Sequence, residues 1–343
     1  MSKTALIIGG TGQIGQAAAR RLLAAGWRVR LAQRTAARLP DDLATQVETV
    51  ALDRDAPGGL AGAVAGGVDA LVDTIAYDET HARQLLEVEA DVGTLVVISS
   101  GSVYRDAGGR TLDEARETGF PRFPLPIGED QPTVGPGPAT YSTRKVALEQ
   151  ALLQGARRPV TVLRPFAIHG PGSTHPREWW FVKRILDGRR RIPVAWRGES
   201  RFHTTATANL AELIRVVAEA PGARVLNAVD PEALSVAEIG GVIADLYSAQ
   251  LEFALLDGAP QKGVGGTPWS TPLPIVADMS RAEALGYRPV ATYAEAIGPA
   301  CRSAEALAAE GVEFVPYLRA MFDYAAEDSR LDELSSSAGK EAP

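Results

Sequence analysis

The chain has 343 residues, 45% hydrophobic and 22% charged, with a net charge of −7 and one cysteine, Cys301. This suits one large domain or two interleaved ones; it argues against nucleic acid or an anionic membrane as main partner, and excludes a disulfide framework and a cysteine-rich metal site. No apolar stretch reaches the ~18 residues of a spanning helix, and a first strand opening at Thr4 leaves no room ahead of it for a signal peptide, so a cytoplasmic enzyme is expected.

Thr4 to Ile8 is an apolar run that closes on three glycines, Gly9, Gly12 and Gly15, and a helical pattern follows at once. This reads as a buried strand, a tight turn and a helix N-terminus. Gly9 allows the turn, Gly12 lets the backbone approach a pyrophosphate, and Gly15 lets helix and strand pack closely. The N–H groups of the helix start would face the phosphates. The candidate dinucleotide contacts are therefore Gly9, Thr11, Gly12, Gln13, Ile14 and Gly15.

The helix runs from Gln13 to Ala25 and stops at Gly26. Strands are expected over Trp27–Gln33, Val47–Leu52 and Ala70–Ala76, a helix over Asp78–Val92, and a fifth strand over Thr94–Ser99. Residues 106 to 138 read as a proline- and glycine-rich loop, Ala139–Gly155 as a long helix and Pro159–Leu163 as strand six. Beyond Arg164 the alternation loosens. Leu210–Glu219 and Val236–Tyr247 look helical around a short strand, Arg224–Val229. Helices follow at Thr292–Ala309 and Val315–Ala326, and the small polar end from Ser335 reads as disordered. Strands alternating with helix-length segments give the fold class: α/β, a Rossmann-type doubly wound parallel sheet with a smaller C-terminal α/β substrate region. The expected division is a dinucleotide-binding domain over 1–165, a substrate-binding region over 166–330, partly interleaved with the sheet, and a flexible tail over 331–343.

On the long helix sit Tyr141 and Lys145, four apart and so on one face. An ammonium beside a phenol favours the phenolate, which is expected to lower the tyrosine pKa toward working pH and let it exchange a proton with a carbonyl or alcohol oxygen. The same lysine can hold a ribose hydroxyl. Strand five ends in Ser99, Ser100 and Ser102, at the carboxyl edge where ligands bind in doubly wound sheets.

With these motifs the chain resembles the extended short-chain dehydrogenases/reductases, within the NAD-dependent epimerase/dehydratase family. The shared pattern spans Lys3 to about Arg288. It takes in the glycine turn, the Ser-Ser-x-x-Val-Tyr segment ending at Tyr104, Glu129-Asp-Gln-Pro132, and the Leu163 to Pro171 segment. Asn209-Leu-Ala-Glu212 and Leu285-Gly-Tyr-Arg-Pro289 complete it. The resemblance implies Tyr141 as acid/base, Lys145 as its partner and ribose ligand, and Ser100 as the third catalytic residue, chosen over Ser99 and Ser102 by its spacing from Tyr104. It implies Asp53 at the adenine edge and Ala76 against the cofactor. A small-molecule substrate follows as partner, with no nucleic acid, no membrane and no metal, and with a homodimer as a compatible assembly.

The chain departs from the family in three places. Gly101 and Ser102 stand where sugar-nucleotide dehydratases carry Asp and Glu, so the extra acid and base for water elimination are missing. Ala167 stands where many sugar-nucleotide enzymes use asparagine on the substrate diphosphate. Strand four ends Val72-Asp-Thr-Ile-Ala-Tyr77 instead of the commoner His-x-Ala-Ala. A small non-nucleotide substrate is expected.

Strand two ends Gln33-Arg34 with no acid to hold both ribose hydroxyls. Arg34, with Arg38, suits a 2′-phosphate through its planar fork. NADP is thus the expected cofactor, with NAD as the alternative. Two rival readings remain at this point: a sugar-nucleotide epimerase with tightly held NAD, and a non-catalytic dinucleotide sensor or RNA-associated protein. The four histidines, His81, His169, His175 and His203, show no metal spacing and read as surface or packed groups. Trp179 and Trp180 read as helix anchors, and Arg184, Arg189, Arg190 and Arg191 as a solvated basic face.

Overall fold

The computed structural model describes residues 2–34 and 39–338. They form two compact units that interleave along the chain: unit 1 holds Met1–Ile168, Thr205–Pro231 and Ala277–Ala291, and unit 2 holds His169–Thr204, Glu232–Val276 and Thr292–Pro343. The chain therefore leaves and re-enters unit 1 twice. Among the described residues no helix is long and apolar enough to cross a membrane.

Unit 1 is built on seven strands: β1 (Thr4–Ile8), β2 (Arg28–Gln33), β3 (Glu48–Ala51), β4 (Val68–Asp73), β5 (Val92–Ile98), β6 (Val160–Pro165) and β7 (Arg224–Ala228). Their order across the sheet is β7-β6-β5-β4-β1-β2-β3. Every pairing is parallel. All five residues of β1 are buried. Ala5 and Ile7 join one core, with residues of α1 (Gln13–Ala24) and α5 (Thr207–Glu219). Leu6 and Ile8 join the other, with residues of α2 (Glu79–Glu87) and α3 (Tyr141–Gly155). A strand covered on both faces has no polar side, which is why its sequence is a continuous apolar run. Each fully buried leucine or isoleucine here stabilises by about 1.5–3 kcal/mol.

The sheet order reverses direction between β1 and β4. Ile8 pairs with Ala32 on one side and with Asp73 on the other, and Asp73 pairs onward with Val97. The carboxyl ends of β1, β4 and β5 therefore lie side by side at the topological switch point, where ligands bind in such sheets. β4 stops at Asp73 rather than continuing to Ala76, because the Asp73 carboxylate captures the Ile75 N–H at 3.0 Å and turns the chain. The Asp78–Val92 helix is likewise shorter. Asp78 caps α2 by accepting from Thr80 and His81 N–H, α2 ends at Glu87, and Val92 already belongs to β5.

Unit 2 contains α4 (Trp179–Leu186), α6 (Val236–Leu246), α7 (Tyr293–Ala309) and α8 (Tyr324–Ala338), with strands 191–194 and 252–255 paired in parallel. Instead of one helix over Val315–Ala326 there is a single turn, Pro316–Arg319, and then α8. Asp323 restarts the helix: its carboxylate accepts from Ala326 N–H and its carbonyl from Glu327 N–H, both at 3.1 Å. α8 continues through Ser335, so the tail expected from residue 331 is helical at its start, and residues 339–343 lie outside the described ones.

The solvated basic face is corrected at Arg184, which is wholly buried. Its guanidinium lies 3.7 Å from the centre of the Trp180 ring and donates to the carbonyls of Trp180 and Met321 at 2.8 and 2.7 Å. It also hydrogen-bonds the buried carboxylate of Glu327, so α4 and α8 share a buried ion pair. No sequence rule distinguishes such an arginine from its neighbours until its partner, 143 residues further on, is brought against it. His169 and His203 are buried and packed, as expected, and Trp180 does anchor α4.

Candidate active site

The glycine turn sits at the end of β1. Gly9 has φ +79°, and a Cβ there would lie 2.4 Å from Thr74 Oγ1. At Gly15 an added Cβ would lie 2.3 Å from the Gly9 carbonyl oxygen. The fold itself requires these two glycines. Gly12 is different: its φ of −78° suits any residue, and an added Cβ would meet only the Gly9 carbonyl oxygen, at 3.4 Å. The space in front of Gly12 is open. Gly12 also caps α1 without a side-chain hydrogen bond, and the first turn carries no acidic residue. Unpaired N–H groups facing open space are what an anionic group needs. Gln16 Nε2 ties the turn by donating to the Thr11 carbonyl at 2.8 Å.

Arg34 follows β2 and is exposed, while Arg38 lies outside the described residues. Asp53 follows β3 on an exposed loop, where its carboxylate accepts from Asp55 N–H at 3.1 Å. Behind it the side chain of Arg54 is buried and pairs with the fully buried Asp73 at 3.0 Å.

The hydroxyl cluster lies at the end of β5. Ser100 accepts from Ser102 N–H at 3.1 Å and donates to the Ser102 hydroxyl at 3.0 Å. Ser142 Oγ lies 2.9 Å from the Ser102 hydroxyl, and Ser142 N–H donates to Asp113 at 2.8 Å. Thr140 caps α3 in a reciprocal pair with Thr143. The cap fixes the start of α3, so Tyr141 and Ser142 meet the serine segment in one orientation. Ser100 faces the Tyr141 phenol and favours its ionised form. Ser99 is buried apart from this cluster, its hydroxyl without a hydrogen-bond partner among the described residues. Of the three serines at this edge, it is Ser100, the one chosen by spacing, that faces the Tyr141 phenol. Ser102 and Ser142, which complete the hydroxyl chain, were not singled out.

One expectation is overturned. The Tyr141 phenol is held above its ordinary range: partial burial raises it, Tyr77 and Asp113 add to that, and only Ser100 opposes. Lys145 does not contribute, because its ammonium is turned to the main chain. It donates to the carbonyls of Ala76 at 2.6 Å and Ile98 at 3.0 Å, and it lies 5.6 Å from the centre of the Tyr141 ring rather than at the phenol oxygen. Lys145 is itself buried, and burial pushes its pKa down to about 8, with Asp73 and Glu149 pulling it back up. Tyr77 packs against Tyr141 with ring centres 5.8 Å apart.

The Tyr104 side of the motif is structural. Its hydroxyl donates to Asn227 at 2.7 Å, Asn227 donates onward to the carbonyls of Ile127 and Asp278, and Glu129 accepts from Asn227 N–H. Arg164 lies over the Tyr104 ring and forms a two-pronged pair with Glu149, at 3.0 and 2.5 Å. Several of the shared motifs therefore brace the sheet edge.

Residues 9–122 match the family model described as NAD(P)H-binding. A 3-diazoavenalumate denitrifying reductase from Streptomyces sp. is 29% identical over 231 residues, covering 63% of this chain and 73% of that protein. Solved structures with the same fold include a UDP-glucose 4-epimerase from Thermotoga maritima, with UDP-glucose, at 16% identity and TM-score 0.67. It matches 89% of this chain and 99% of its own. A UDP-glucuronic acid 4-epimerase from Bacillus cereus, with UDP-glucuronic acid and NAD, matches at 17% identity and TM-score 0.63 over the same shares. Residues 9–122, which hold the glycine turn, thus match an NAD(P)H-binding family model, and the chain shares the fold of these solved epimerases along nearly its whole length.

Proposed function

We propose that this chain is an NADP(H)-dependent reductase acting on the carbonyl of a small non-nucleotide substrate, with Tyr141 as its acid/base. The observation that carries the reading is the Tyr141 phenol facing Ser100, one helical turn from buried Lys145, at the carboxyl edge of the sheet. The open space at Gly12 and the uncapped start of α1 fit a pyrophosphate, to be held by Gly9, Thr11, Gly12, Gln13, Ile14 and Gly15. Arg34 would take the 2′-phosphate, Asp53 the adenine edge, and Ala76 and Lys145 the nicotinamide side. Bound there, the dinucleotide supplies or accepts the hydride.

The chain's own residues handle the proton. A phenol held above its usual range is protonated at neutral pH, so Tyr141 is ready to donate to a carbonyl oxygen. That state supports reduction as the direction, as does the activity named for the Streptomyces relative. Ser100 holds the same oxygen and stabilises the phenolate left behind. Ser102 and Ser142 keep Ser100 oriented through their hydroxyls. The Lys145 ammonium, fixed on two carbonyls, places a positive charge under the ring.

A second reading, an epimerase that retains NAD, draws on the fold shared with the solved epimerases. Against it stand Ala167, which has no polar group for a diphosphate, and Arg34 in place of an acid. The cofactor decides between them. NADPH should bind more tightly than NADH, because a 2′-phosphate gains charge-assisted bonds to a guanidinium. Arg34→Ala should weaken NADPH and leave NADH roughly unchanged in calorimetric titrations. Purified protein that carries NAD, or a variant with unchanged preference, sinks the NADP assignment and favours the epimerase.

A further inference from the structure

Two buried ion pairs act on the Lys145 ammonium through their carboxylates. One is Glu149–Arg164, on its own helix and β6. The other is Asp73–Arg54, at the end of β4 and the loop after β3, with the Asp73 side chain wholly buried and that of Arg54 nearly so. In both, the carboxylate is the member whose charge acts most on Lys145. Asp73 stands three residues before the Ala76 carbonyl that accepts from Lys145, and pairs in the sheet with Val97, the neighbour of the Ile98 carbonyl that also accepts from it. Its second oxygen fixes the Ile75 N–H, and so shapes the turn that presents Ala76. Arg54 is held from the far side by Gln84, whose Oε1 accepts from its Nε at 3.0 Å and whose Nε2 donates to its carbonyl at 3.0 Å. His81 of α2 faces the same pair and feels both Arg54 and Asp73. Tyr141, on α3, is the remaining titratable group beside Lys145.

An acid at this central-sheet position serves no packing purpose. Burying a charge costs several kcal/mol unless it is paired, and a buried pair is often no more stabilising than an apolar replacement. What it does supply is a fixed negative charge whose field favours the charged form of Lys145, which burial disfavours. We propose that Asp73 is a positioning residue for the active site: braced by Arg54, it shapes the turn whose Ala76 carbonyl holds the Lys145 ammonium and supplies a buried negative charge that this ammonium needs. The role rests on the functional reading above only in the purpose it gives to Lys145.

The test follows the Lys145 side chain directly, by NMR on the full chain with isotope-labelled lysine, its signal assigned by its loss in Lys145→Met. In the wild type Lys145 should titrate with a midpoint at about 8. Asp73→Asn should lower the midpoint by a unit or more, so that the neutral amine at pH 7 becomes about tenfold more abundant. Arg54→Gln, which leaves the Asp73 charge uncompensated, should move it the opposite way. Should Asp73→Asn fail to fold because Arg54 is stranded, Arg54→Gln/Asp73→Asn removes both charges and should still lower the midpoint. Opposite shifts support the proposal, since a purely structural role would not change sign with the charge removed. A midpoint unmoved by Asp73→Asn or by the double variant overturns it. The alkaline limb of kcat/KM should move with the Lys145 midpoint. If the midpoint shifts and the limb does not, Asp73 still tunes Lys145, and it is the assigned part of Lys145 in turnover that fails.

Discussion

Tyr141→Phe should lower kcat by ~100-fold or more while leaving the dissociation constant for NADPH nearly unchanged. Only the phenol oxygen is removed. The ring remains to pack against Tyr77, and Thr140 still caps α3, so the helix and its lysine stay in place. The lost function is proton donation at the substrate oxygen, and that belongs to the chemical step rather than to binding. Stopped-flow hydride transfer and calorimetric titration with NADPH separate the two. Retention of more than about a tenth of the wild-type kcat would remove Tyr141 from the acid/base role, since general acid–base catalysis is worth ~100-fold or more. The pH dependence should add a sign. Activity that needs protonated Lys145 is present below its folded pKa and falls as pH rises through about 8.

The largest effect on stability is expected at Arg164→Met. Arg164 and Glu149 hold each other by two hydrogen bonds beneath the Tyr104 ring, and both side chains are buried. Removing one partner leaves a buried carboxylate uncompensated, a loss of about 3–5 kcal/mol. Arg164→Met/Glu149→Leu removes both charges and should recover most of that loss. Denaturant midpoints of the two variants check this. A single variant within about 1 kcal/mol of wild type would mean that the site admits water on unfolding locally, and that the pair is not a closed one.

Much of unit 1 was legible because its signals are local. Gly9 and Gly15 are demanded by a turn that follows β1 directly, and the apolar runs of β1, β4 and β5 mark strands covered on both faces. The Tyr141–Lys145 spacing fixes a shared helix face without any tertiary information. What was not legible depends on groups far apart in sequence. Lys145 was expected beside a phenol oxygen, but the carbonyls that capture its ammonium belong to Ala76 and Ile98, 69 and 47 residues away. Arg184 reads like its neighbours until Glu327 arrives to bury it. The boundary between the Pro316 turn and α8 turned on one side chain, Asp323, that can end one helix and start another.

The interleaving of the two units has a kinetic consequence during synthesis. β6 ends at Pro165, but its outer neighbour in the sheet, β7, begins only at Arg224. At ~5–20 residues per second, the intervening stretch of about 60 residues takes ~3–12 s to emerge. For that time a buried-type strand presents an unpaired edge, the feature most prone to pair with another chain. Unit 1 then waits for residues 277–291, and unit 2 for α8 and the carboxylate of Glu327. Unit 1 can close only once residue 291 has emerged, and unit 2 later still, once α8 has. Both close late and by contacts of long sequence separation, which makes the newly made chain a natural client for chaperones.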